Sequence, residues 1–141
     1  MHSGELHPQD VGRIPIIRLA DNLVVSIQFS LSDRLVAQLK DDVTHAIDSS
    51  GALGLVIDVS GVDLMDSYIS RTIRDIALVA RLMGVLTVIC GVSPLVAITL
   101  VEMGVDLKVV RSALNLDAAL ELLQDLRREA ATRSTGQDTS A

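Results

Sequence analysis

Two short stretches limit what this chain can fold into more than any other part of it. Residues 53–59 (Leu-Gly-Leu-Val-Ile-Asp-Val) and 85–90 (Val-Leu-Thr-Val-Ile-Cys) are almost unbroken apolar sequence. A strand with one wet face alternates apolar and polar residues. A strand that does not alternate is covered on both faces, as in a parallel sheet layered by helices. The remaining elements follow from what precedes and separates these two runs.

Before them, residues 14–19 read as a short strand whose Pro15 cannot donate to a ladder, which places it at a sheet edge. A turn at Ala20-Asp21-Asn22 leads into Leu23, Val25, Ile27 and Phe29, alternating with Val24, Ser26 and Gln28. Two strands joined this closely predict a hairpin. Ser32, followed by Asp33, caps a helix carrying Leu35, Leu39, Val43, Ala46 and Ile47 at helical spacing, and Ser49-Ser50-Gly51 ends it. Lys40, Asp41 and His45 fall on its other face, where His45 reads as a solvated histidine.

After residues 53–59 comes a short acidic loop, then a helix over about 66–83 with Ile69, Ile73, Ile76, Ala80 and Met83 as its buried stripe. Arg71, Arg74, Asp75 and Arg81 face solvent or a partner, and Gly84 closes the helix. Cys90, at the end of the second apolar run, reads as a small buried hydrophobe. Ser93-Pro94 opens a helix over 95–103 that is apolar on nearly every side, with only Thr99 and Glu102 polar. So much apolar surface on one helix predicts contact with another subunit. Residues 107–110 predict a last short strand, and Asn115 or Asp117 caps a final helix with Leu116, Leu120, Leu123 and Leu126 near one face. The predicted order is β-β-α-β-α-β-α-β-α, an α/β fold with a mixed, mostly parallel sheet. Residues 1–12 read as a flexible arm, 13–128 as one domain and 129–141 as a disordered polar tail.

Composition removes several functions. Aromatic residues make up 1% of the chain, too few to build stacked-ring pockets for a nucleobase or flavin. A formal charge of −6 opposes nucleic acid and anionic membranes, which require a basic face. A single cysteine forbids an internal disulfide. With no signal peptide and no apolar run of bilayer length, a cytoplasmic protein is expected. No cofactor is implied. His2 and His7 read as parts of a polar terminus rather than as a metal pair.

Motifs for catalysis are missing: there is no phosphate-binding glycine loop, no H-E-x-x-H and no nucleophile elbow. Asp58, Asp63 and Asp66 could hold a divalent cation through oxygen ligands. They read more simply as the end of a strand, a turn and a helix cap, with no metal. A phosphoacceptor receiver domain with Asp58 as acceptor would need an acidic pair after its first strand and a lysine after its last. Asp21 sits beside Asn22 in a hairpin turn and Lys108 within the last strand, so this reading fails.

Several blocks in order resemble one family. They are Ile14-Pro15-Ile16, Leu23-Val24-Val25-Ser26-Ile27-Gln28, Val56-Ile57-Asp58, Met65-Asp66-Ser67-Tyr68-Ile69, Leu82-Met83-Gly84 and Val96-Ala97-Ile98-Thr99-Leu100. From Ile14 to about Leu126 the chain resembles a STAS domain, the fold of bacterial anti-sigma factor antagonists. Its likeness within the family is to the single-domain scaffolds of the stressosome core. Asp66-Ser67 matches the family's phosphorylated Asp-Ser motif. Tyr68 departs from the glycine usual there in sporulation-type antagonists, which favours the scaffold over the direct antagonist.

The resemblance implies a non-enzymatic phosphoprotein of a stress-response pathway that works by partner switching. It implies phosphorylation at Ser67 and partner binding around it by Asp63, Asp66, Ser67, Tyr68 and Arg71. The implied partners are a switch serine/threonine kinase, sister STAS co-scaffolds bearing an extra sensory domain, further copies of the chain in a large assembly, and a phosphatase. A direct antagonist of an anti-sigma kinase is the alternative, and a small α/β enzyme using the three aspartates is a third reading.

Overall fold

The computed structural model describes residues 14–28 and 32–139, with side chains described through residue 134. The arm at 1–12, the His2 and His7 pair and Phe29 fall outside the described residues, and so do residues 140–141 of the tail. Strands β1 (Ile16–Leu19) and β2 (Asn22–Gln28) form the expected antiparallel hairpin, with Pro15 just ahead of an edge strand. Its turn places Ala20 at φ 53, a positive value that matches the twist of a tight hairpin. Helix α1 (Asp33–Ser50) follows, then β3 (Gly54–Gly61), α2 (Ser67–Leu82), β4 (Leu86–Cys90), α3 (Pro94–Glu102), β5 (Val110–Ala113) and α4 (Leu116–Thr139).

The five strands lie in chain order, and β2 through β5 are parallel. Right-handed crossovers between successive neighbours put the connecting helices on one face, so α1, α2 and α3 cover the same side. Leu23, Val25, Ile27, Leu55, Ile57, Val59 and Ile89 fill the core beneath them. Val24, Val56, Val88 and Cys90 point the other way, onto Ala119 and Leu123 of α4. The two apolar runs lack alternation for this reason: each of their faces meets a helix.

Local chemistry sets the ends of the helices. The Ser32 and Ser93 hydroxyls accept from the N–H groups of Leu35 and Val96, and Gly51 ends α1 at φ 66. Asn115, rather than Asp117, caps α4, its Oδ1 accepting from Ala118 N at 2.9 Å.

Three expectations are corrected. The last strand does not occupy 107–110. Asp106 accepts from Lys108 N through its carboxylate and from Val109 N and Val110 N through its carbonyl, so a turn consumes 106–109 and β5 begins at Val110. The stretch expected as a disordered tail is helical to Thr139. It begins with good helix formers and pairs Arg128 with Asp125 and Arg133 with Glu129 at one-turn spacing. Met83, expected in the buried stripe of α2, is 38% exposed, because it lies past the helix end as its C-cap.

Candidate phosphorylation site at the start of α2

The loop between β3 and α2 is pinned at both ends. Asp58 Oδ1 accepts from Ser60 N at 2.9 Å, and Val62 N donates to Val59 O at 2.9 Å, which turns the chain out of the sheet. Val62 and Met65 are buried and anchor the loop in the core. Asp63, Leu64 and Asp66, which alternate with these anchors, are therefore exposed. Leu64 is 75% exposed beside the start of the helix.

Asp66 is the N-cap of α2, with extended backbone (φ −85, ψ 174) and Oδ1 accepting from Ile69 N at 2.8 Å. Ser67 is the first helical residue and exposed, and its hydroxyl has no hydrogen bond among the described residues. The hydroxyls farther into the helix are committed. Ser70 is fully buried and donates to Asp66 O at 3.0 Å; Thr72 is buried and donates to Tyr68 O at 2.9 Å. Ser60 is exposed but held within β3. The capping task thus belongs to Asp66, and Ser67 is left with a free hydroxyl beside the positive end of a helix.

The structure brings Asp63, Asp66, Ser67 and Tyr68 into one loop-to-helix segment, with Tyr68 half-buried. Arg71 lies one turn after Ser67 on the same helix face, exposed and without an ion pair among the described residues. Asp58, Asp63 and Asp66 do not converge: among the described residues, no three side chains of ligand type are grouped to hold a metal ion. Two of those carboxylates are instead engaged with local backbone N–H groups. Cys90 is fully buried, and burial, with Asp58 beside it, pushes its thiol up from 9.0 to about 11. Sequence reasoning missed one long-range contact that fixes α4 against the sheet. Arg127 donates through Nη1 to Oδ1 of buried Asn22 at 2.9 Å, across 105 residues.

Residues 13–129 match the STAS domain. A serine-to-glutamate variant of RsbS from Moorella thermoacetica superposes with TM-score 0.76 at 40% identity, covering 82% of this chain and 98% of that one. A chain from a structure describing the molecular architecture of the stressosome, a signal integration and transduction hub, gives TM-score 0.73 at 41% identity over 81% of this chain and 99% of that one. RsbRD of Bacillus subtilis, an RsbT co-antagonist protein, is 33% identical over 66 residues, which span 47% of this chain and 24% of RsbRD. The chain thus matches only about a quarter of that relative's length. No helix among the described residues is long and apolar enough to cross a membrane. The match across nearly all of the folded segment, together with the likeness to a solved RsbS and to a stressosome chain at 40% identity or more, places this chain in the STAS domain family.

Proposed function

We propose that this chain is a cytoplasmic, non-enzymatic scaffold of a stressosome that holds a switch serine/threonine kinase of the RsbT kind and releases it when Ser67 is phosphorylated. The observation that carries the reading is the division of labour at the start of α2. Asp66 caps the helix, so the neighbouring Ser67 hydroxyl is exposed and without a hydrogen bond among the described residues. The likeness to RsbS and to the stressosome chain supports assembly with further copies and with RsbR-like co-scaffolds.

The mechanism follows from charge. Unmodified Ser67 is small and neutral, and a partner docks closely around it with Asp63, Asp66, Tyr68 and Arg71 at the contact. A phosphate adds about −1.5 to −2 charges and three acceptor oxygens at that point. The helix N-terminus tolerates the anion, so the fold survives. Asp63 and Asp66 deepen the negative potential, and a partner fitted to the neutral surface is expelled. A phosphatase acting on the exposed phosphoserine resets the site.

The reading is tested by incubating the chain with the kinase and ATP and mapping the product by mass spectrometry. One phosphate on Ser67 and none on Ser70 or Thr72 is expected, because the latter hydroxyls are buried. Modification elsewhere, with Ser67 untouched, would overturn it.

A further inference from the structure

A phosphate on Ser67 would sit beside an acidic loop, and one cation stands where it can answer that charge. From Ser67 to Ala80, only Ser67, Arg71 and Leu78 of α2 are exposed, at spacings that set them along one outer stripe. Residues 41–70 contain no lysine or arginine, so Arg71 is the first such cation after Lys40. Its guanidinium has no ion pair or hydrogen bond among the described residues. The next cation, Arg74, lies farther along the helix, with Nε 3.8 Å from the Asp75 carboxylate.

Helix geometry aims Arg71 at the modified residue. Cα–Cβ bonds tilt towards the helix N-terminus, and a long side chain covers the turn before its own Cα. For Arg71 that turn begins at Ser67, and the two Cβ atoms at this spacing are about 6 Å apart. An acid one turn N-terminal to a base is also the favoured order for such a pair. Asp75, one turn after Arg71, stands in the less favoured order and is already beside Arg74. Unmodified Ser67 offers Arg71 only a neutral hydroxyl, and neither group has a hydrogen bond among the described residues.

We infer that phosphoserine at position 67 is held by Arg71 in a pair within α2, and that this pair withdraws Arg71 from the partner surface. The phosphate brings about −1.5 to −2 charges and three acceptor oxygens, and a guanidinium meets two of them with parallel N–H donors. The modification thus changes the docking surface twice. It adds an anion beside Asp63 and Asp66, and it removes the cation that a partner met at Arg71. A carboxylate at position 67 carries a single charge on a shorter arm, so Ser67→Asp reproduces the pair only weakly. The inference rests on the reading of Ser67 as the switched residue and names what its phosphate contacts.

The test is a double-mutant cycle on the full chain, with Arg71→Gln placed in the unmodified protein and in protein carrying phosphoserine at position 67. Urea unfolding followed by circular dichroism at fixed protein concentration reads the stability. Arg71 is exposed, so in the unmodified protein Arg71→Gln should change the unfolding constant by about twofold or less. In the phosphorylated protein it should raise that constant by about threefold or more, as loss of an exposed charge-assisted pair does. Arg71→Lys keeps the charge without the planar fork and should retain part of the difference, and added salt should shrink it. Equal effects of Arg71→Gln with and without phosphate overturn the pair. Unmodified Arg71→Gln should also bind the kinase about fivefold or more weakly than wild type. Unchanged binding overturns the withdrawal of Arg71 from the partner. If phosphate releases the kinase but shows no coupling to Arg71, the pair is refuted and the switch at Ser67 stands. If the coupling is present but phosphate leaves kinase binding unchanged, the pair stands and the switch reading fails.

Discussion

Replacing Asp66 and Ser67 separately should split structure from signalling at adjacent positions. Asp66→Ala deletes the carboxylate that accepts from Ile69 N at 2.8 Å and the negative charge at the helix's positive end. A lost cap costs about 1 kcal/mol and the lost dipole interaction about 0.3–1 kcal/mol, so destabilisation of about 1–2 kcal/mol is expected. Asp66→Asn keeps an acceptor in place and loses only the charge, so about 0.3–1 kcal/mol should go. Ser67→Ala removes an exposed hydroxyl that has no hydrogen bond among the described residues, and alanine favours the helix, so stability should be unchanged or slightly raised. Urea unfolding followed by circular dichroism at fixed protein concentration measures all three, provided that the slope is constant across the set. Should Ser67→Ala lose as much as Asp66→Ala, the serine is the cap, and the argument that its hydroxyl is free for modification collapses.

Other parts of the fold are equally open to test. A Cβ on Gly54 would lie 2.9 Å from Leu123 Cδ1 and closer still to Asn22 Oδ1, so Gly54→Ala should lower stability by about 1–3 kcal/mol in the same unfolding assay. Arg127→Met leaves the Asn22 amide oxygen without its partner in a buried position, and a loss of about 1–3 kcal/mol is expected. Cys90 is raised from 9.0 to about 11 in the fold, so the unfolded chain loses its thiol proton first. Its contribution is therefore full below pH 9 and lost as pH rises towards 11, and Cys90→Ala should flatten that alkaline decline in a pH series of unfolding midpoints.

Much of the architecture was legible because local chemistry and tertiary packing agree. The unbroken apolar runs marked β3 and β4, and Ser32, Asp66 and Ser93-Pro94 marked the starts of three helices. The features that escaped depend on partners distant in sequence or on competing local turns. Residues 107–110 have strand composition, yet the Asp106 turn claims most of them and moves β5 three residues on. The expected buried stripe did not include Ser70 and Thr72, yet both are buried, each satisfying its hydroxyl on a carbonyl one turn back. Nothing near Asn22 announces Arg127, which reaches it from the far end of the domain. At the site itself, the Asp-Ser pair was visible as a motif. Asp66 was legible as a helix cap too; that the Ser67 hydroxyl is exposed and has no hydrogen bond among the described residues needed the geometry.

The most direct test of the account is a binding titration of the RsbT-like kinase against three folded forms of the chain: wild type, Ser67→Ala, and protein carrying phosphoserine at position 67. Wild type and Ser67→Ala should bind alike, and the phosphoserine form should lose binding while its circular dichroism stays native. Equal binding by all three would contradict the account and leave Ser67 as no more than the first residue of a helix.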